Sequence, residues 1–236
     1  MATTMQLPLG IHLRESATFA NFVATEDAVV VAALQQACQR EAKERFIYLW
    51  GGRGNGKSHL LQAACHEVAS REGGGSLYLP LAEAAQLAPQ MLEGMEQMGV
   101  VAIDDVDAVA GDRDWEEALF HLYNRMRDLG RGALIVSSVS PLASSLLKLA
   151  DLKSRLAWGL VFQLRGLDDR GKLSALQKGA QRRGLELSDE VGNYLLRHCR
   201  RDLSELFDLL ERLDNVSLAM QRRLTIPFVK AVIDSE

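Results

Sequence analysis

The chemistry of this chain concentrates first in eight consecutive residues, Gly51-Gly52-Arg53-Gly54-Asn55-Gly56-Lys57-Ser58. Their spacing is that of GxxxxGK[ST]: glycines let the backbone fold round phosphate groups, Lys57 reaches the β and γ phosphates, and Ser58 offers a hydroxyl to Mg2+. His59 follows directly in the sequence. A glycine-rich turn that binds nothing is the bland alternative. The second concentration is Val100-Val-Ala-Ile-Asp104-Asp105, an apolar run ending in two acids, with Asp104 placed 47 residues after Lys57. Behind a phosphate loop, such a pair suits a carboxylate that orients the water shell of Mg2+ (Asp104) and one that polarises an attacking water (Asp105). Alone, two acids closing a strand would signify little.

These residues need a strand, a tight loop and a helix to hold them, and the flanking sequence supplies all three. Short apolar, β-rich runs at Phe46–Trp50, Ser76–Leu79, Val100–Ile103, Ala133–Val136 and Leu160–Leu164 predict five strands. Helical patterns between them, Lys57–Arg71, Ala82–Met98 and Trp115–Leu129, alternate with the strands as a parallel α/β sheet requires. Right-handed crossovers then gather the strands' carboxyl ends on one edge, where α/β proteins bind ligands. After Leu164 the pattern becomes purely helical. Asp168–Arg183, Ser188–His198 and Leu203–Ala219 are amphipathic, and Pro227 suits the first turn of a short last helix, Pro227–Asp234. Asp202, with Glu205 three residues on, reads as an N-cap for the third of these.

Composition narrows the class. Hydrophobic residues make 47% and charged residues 25% of the 236 positions, which excludes disordered, collagenous and disulfide-scaffold chains. With 27 Lys+Arg against 31 Asp+Glu the net charge is −4, which disfavours nucleic acid as the primary ligand. Three scattered cysteines, Cys38, Cys65 and Cys199, show no metal-ligand spacing, so a reducing, cytoplasmic setting is expected. No apolar run approaches the ~18 to 20 residues that span a bilayer.

Beyond these motifs the chain resembles the AAA+ superfamily, and more narrowly the AAA+ module of the bacterial replication initiator DnaA. The resemblance rests on Thr18-Phe-Ala-Asn-Phe22-Val23, the phosphate loop with His59-Leu60, Ile103-Asp104-Asp105, and Leu152-Lys-Ser-Arg155-Leu-Ala-Trp158-Gly159. Tyr123-Asn124-Arg125 and Arg222-Arg-Leu-Thr-Ile-Pro-Phe-Val-Lys230 look like the short DnaA-related regulators in particular. The resemblance implies an α/β AAA+ P-loop NTPase fold: a five-stranded parallel sheet with helices on both faces, plus a small all-helical lid. It implies an N-terminal arm over 1–17, an α/β base over 18–165 and a lid over 166–236. It also implies an adenine nucleotide, ADP or ATP, with Mg2+ as cofactor. Phe22 and Val23 would flank the adenine, and Gly52, Arg53, Gly54, Asn55, Gly56, Lys57, Ser58 and His59 the phosphates. Ser137 would face the γ-phosphate region, and Arg201 would reach down from the lid. Each has a plain alternative as core, strand-end hydroxyl or solvated charge. Related ATPases often carry Glu where Asp105 stands, and the longer side chain reaches further, so slow intrinsic hydrolysis is expected.

Arg155 matches the arginine that AAA+ subunits present across a boundary to a neighbour's nucleotide, where an arginine finger contributes about 10³ to 10⁵ in rate. At the N-terminus, Gln6-Leu7-Pro8-Leu9 resembles the short motif that docks in the cleft of the DNA polymerase sliding clamp, its β subunit; a loose arm is the alternative. The chain ends where the initiator would continue into its DNA-binding domain, so contact with DNA is expected only through the clamp. The expected function is negative regulation of replication initiation: clamp docking, Arg155 offered to DnaA-bound ATP, and conversion to inactive DnaA-ADP. A self-sufficient loader or remodeller ATPase and a pure adaptor are the competing readings. A homodimer or head-to-tail homo-oligomer is compatible with either.

Overall fold

Five short strands carry the base: β1 (Phe46–Trp50), β2 (Ser76–Pro80), β3 (Val100–Asp104), β4 (Ala133–Ser138) and β5 (Leu160–Gln163). They form one parallel sheet in the order β2-β3-β4-β1-β5. The computed structural model describes residues 13–23, 27–39, 41–71, 75–199, 203–220 and 223–233. β3 and β4 are buried at every position, as a parallel strand with both faces covered must be, which explains the apolar runs Val100–Ile103 and Ala133–Val136 that precede their polar carboxyl ends. β5, on an edge, alternates half-buried and exposed residues.

Alternate strand positions feed two cores. On one face α1 (Ala28–Ala37) and α2 (Lys57–Ala69) bring Val30, Leu34, Leu60, Leu61 and Ala64 against Ile47, Leu49, Val100, Ala102 and Ile135. On the other, α3 (Arg113–Leu129) and α4 (Ala150–Trp158) bring Leu119, Leu122, Met126, Leu152 and Leu156 against Tyr48, Val101, Ile103, Leu134 and Val136. The chain thus leaves β1 towards one face and β4 towards the other. Adjacent strands whose connections diverge open a crevice at their carboxyl ends, where such sheets bind ligands. A third core is purely helical: α5 (Asp169–Arg182), α6 (Asp189–His198), α7 (Leu203–Met220) and α8 (Ile226–Ile233) enclose Leu176, Leu195, Leu206, Leu210, Leu213 and Val229. Asp168 caps α5 by accepting from Gly171 N–H, and Ser188 caps α6 by accepting from Val191 N–H. Among the described residues no helix is long and apolar enough to cross a membrane.

One element differs from its sequence reading. Residues 82–98, expected as a helix, form three short 3-10 turns, Leu81–Gln86, Pro89–Leu92 and Met95–Gln97. Pro89 lacks the N–H that a continuing helix would use and forces extended backbone on Ala88, and Gly94 turns left-handed at φ 80°. Two helices, α1 and α4, were not anticipated. The proposed Asp202 cap lies outside the described residues.

Candidate nucleotide-binding site

The phosphate loop leaves the carboxyl end of β1 and turns into α2 at Gly56, whose φ of 90° only glycine adopts readily. The same residue is crowded as well: a Cβ there would come within 2.7 Å of the Phe22 ring. Lys57 is buried, and its ammonium donates to the carbonyls of Gly51 (2.9 Å) and Gly52 (3.1 Å), which holds the charge inside the curve of the loop. Asn55 donates from Nδ2 to the Leu164 carbonyl (2.9 Å), while Leu164 N–H donates to the Trp50 carbonyl (2.7 Å). These bonds join the loop to the segment leading into the helical unit. Gly54 is also left-handed at φ 73°; Gly52, Arg53 and Ser58 are exposed. The first N–H groups of α2 have no partners within the helix, so the loop presents a cation, a helix N-terminus and free donors together.

Opposite lies the acidic end of β3. Asp104 is buried, and both of its carboxylate oxygens accept from hydroxyls: Oδ2 from Tyr78 (2.7 Å) and Oδ1 from Ser137 at the end of β4. Ser137 Oγ in turn accepts from Asp105 N–H (2.9 Å). Asp105 itself sits in the left-handed region at φ 53° and ψ 55°, strained for a residue with a Cβ. Its carboxyl is held above the ordinary range by burial and then by the neighbouring Asp104 charge, while Lys57 pulls it down. Lys57 and Asp105 are therefore electrostatic neighbours, as the two motifs require. Sequence reasoning missed Tyr78, because one tyrosine in an apolar strand carries no spacing signal.

Mg2+ takes oxygen ligands and relies on one or two carboxylates plus the substrate's phosphates. The donors present, the Ser58 hydroxyl and an Asp104 carboxylate with one unused lone pair on each oxygen, fit that demand. Among the described residues no cluster of three or more His, Cys, Asp or Glu could hold a metal alone.

Residues 18–22 run over the loop like a strap. Phe22 packs on Gly56 and lies 5.7 Å from the His59 ring, centroid to centroid. His59 Nε2 bonds the Thr18 carbonyl at 2.9 Å; since a carbonyl only accepts, this nitrogen carries the proton. Burial lowers the His59 pKa, the Arg182 and Arg14 charges lower it further, and the Thr18 bond opposes them. Arg182 of α5 donates to the Ala20 carbonyl (3.1 Å), so the helical unit touches the same strap. Val23 is half-buried at its end.

Arg155 lies elsewhere. It sits near the end of α4, its guanidinium stacked 4.2 Å from the ring centre of Trp158, which is 63% exposed. Its charge acts on Tyr123, whose ring packs on Phe46 at 4.3 Å, and Gly159 abuts the Phe46 carbonyl. Phe46 begins β1, and the phosphate loop follows its end. The five residues of strand between Phe46 and the loop span about 16 Å. Arg155 is thus associated with the amino end of β1, whereas the loop leaves its carboxyl end. Arg201 and the Gln6, Leu7 and Leu9 motif lie outside the described residues.

The sequence model of the bacterial DnaA ATPase domain matches residues 13–163, and that of the lid domain of Hda matches 169–233. Among solved structures, domain III of the Thermotoga maritima replication initiation protein DnaA is similar at a TM-score of 0.78 and 21% identity, over 95% of this chain and 98% of that one. AMPPCP-bound DnaA from Aquifex aeolicus follows at 0.69 and 22%, over 85% and 67%. The Thermotoga maritima RuvB Holliday junction branch migration motor gives 0.64 and 16%, over 88% and 67%.

Proposed function

Because this chain belongs to the bacterial DnaA ATPase-domain family and carries the AAA+ fold, we propose that it is a nucleotide-holding regulator of DnaA. In this reading it keeps ADP or ATP between base and lid and offers Arg155 to ATP bound by DnaA. Hydrolysis then leaves inactive DnaA-ADP and restrains initiation.

The observation that supports the reading is that Arg155 associates with the amino end of β1 while the phosphate loop leaves its carboxyl end. In this reading the arginine serves a nucleotide on a neighbour rather than its own. There its planar fork would contact two oxygens of the transferred phosphoryl group and stabilise the charge spreading over them. The stack on Trp158 restrains the guanidinium and limits the rotamer freedom lost on docking.

Binding of the chain's own nucleotide is supported by the loop and by the adenine nucleotide analogue held by the Aquifex aeolicus relative. Lys57 neutralises phosphate charge, Phe22 and Val23 border the base, Ser137 steadies Asp104, and Arg201 approaches from the lid. Ser58 and Asp104 would hold Mg2+, which supplies charge neutralisation across the β and γ oxygens. Gln6, Leu7 and Leu9 dock on the sliding clamp and place the protein at the replisome.

The test is hydrolysis of DnaA-bound ATP with DNA-loaded clamp, comparing the intact chain, Arg155→Ala and a chain lacking residues 1–9. Arg155→Ala is expected to bind ADP normally and to lose stimulation by at least about 10³-fold, and the truncated chain to lose the stimulation that the clamp confers. Full stimulation by Arg155→Ala would sink the finger assignment. The meeting of Lys57, Ser58, Asp104 and Asp105 at one edge favours a second reading, a self-sufficient ATPase, which brisk turnover without DnaA would support.

A further inference from the structure

Tyr78 lies against one of the two residues that would hold the metal. It stands on the edge strand β2, opposite Ala102 and so two residues short of Asp104 in register, and its ring packs into the core beneath α2. From there its hydroxyl reaches Asp104 Oδ2 at 2.7 Å. The carboxylate only accepts, so the single phenol proton is committed to Asp104.

The phenol is thus a donor to Asp104, while Ser58 and Gln62, on the first turns of α2, lie near its other side. Ser137 donates to the far carboxylate oxygen, so each oxygen of Asp104 has one hydroxyl partner.

This pair of bonds matters for a metal. Together they fix the plane of the Asp104 carboxylate and leave a defined lone pair on each oxygen.

The geometry points to Tyr78 as a positioning residue of the magnesium site, fixing the Asp104 carboxylate through its phenol oxygen. The inference rests on the nucleotide reading above. Partners that orient metal ligands in this way are worth about 10- to 100-fold in metal affinity, whereas the phosphate contacts of Lys57 and the loop need no metal.

Tyr78→Phe removes one oxygen and keeps the ring, so ADP binding by the full chain should be compared in excess EDTA and in excess Mg2+. In EDTA the variant is expected to match the wild type within about twofold; with Mg2+, the tightening seen in the wild type should fall by about tenfold. Mn2+ titrated into ADP-saturated protein and followed by electron paramagnetic resonance should bind Tyr78→Phe at least about tenfold more weakly. A second probe needs no altered packing: 3-fluorotyrosine at position 78 should shift its 19F resonance when Mg2+ is added to the ADP complex, and should not in Asp104→Asn. An unchanged Mg2+ gain in Tyr78→Phe, or a silent 19F resonance, would overturn the role while leaving ADP binding intact. A wild-type chain that binds ADP in neither condition would overturn the nucleotide reading, and the role with it.

Discussion

His59 illustrates how one side chain ties the site to solution conditions. Its ring is held neutral in the fold, with a pKa below the ordinary value of 6.5, mainly by burial. The unfolded chain therefore takes up a proton first as pH falls. By linkage, stability is intact above about pH 6.5 and is lost as pH drops below it towards the lower folded pKa. Urea unfolding between pH 7.5 and 5 should show this loss, and His59→Gln, whose amide can still donate to Thr18, should flatten it. The residues that sequence analysis found at this scale, Lys57, Ser58, Asp104 and Asp105, were legible because a phosphate loop and an acidic strand end are contiguous signals. Tyr78 and the strap contact of Phe22 with Gly56 were not, or only by family likeness, since each depends on which strand or segment lies beside which. The left-handed backbone of Asp105 left no trace in the sequence either.

Between elements, the buried Glu116 holds α4, and hence Arg155, in place. Its carboxylate accepts from the N–H groups of Gly111 (2.7 Å), Lys148 (2.9 Å) and Leu149 (2.6 Å), stitching the start of α3 to the segment that enters α4. Removing it leaves three part-buried N–H donors without their acceptor, so Glu116→Ala should cost about 2 to 4 kcal/mol by chemical denaturation, less than the ~1 to 3 kcal/mol apiece of fully buried donors because water can reach them. Glu117→Ala, which breaks a largely exposed pair with Arg113, should cost less than about 1 kcal/mol. Element reading succeeded where period and flanks agreed, as in β3 and in α3 between its Asp112 cap and the left-handed Gly130. It passed over α1 because Val29-Val30-Val31 is a β-branched run, and α4 because two buried leucines, Leu152 and Leu156, are all its apolar face supplies. It overextended through Pro89, where helical composition outweighed a single breaker.

At the scale of the molecule, the base and the helical unit have separate cores and meet through few described contacts. Among them are Arg182 on Ala20 and an exposed Arg14–Asp208 pair at 3.7 Å. Ligand bound at their junction should stabilise both. ADP at a hundredfold excess over its Kd contributes about 2.7 kcal/mol. For a chain of this size that is a rise in Tm of roughly 5 to 10 °C. Differential scanning fluorimetry should register the rise in the wild type and lose it in Lys57→Ala. The strap at residues 18–22 gives this coupling a direction. It touches the loop through Phe22, α2 through Thr18 and α5 through Ala20. A tug on the chain ahead of Thr18 and the release of a bound nucleotide therefore act on the same few bonds. Because coupling free energy is reciprocal, nucleotide affinity becomes a gauge of tension on the N-terminal segment.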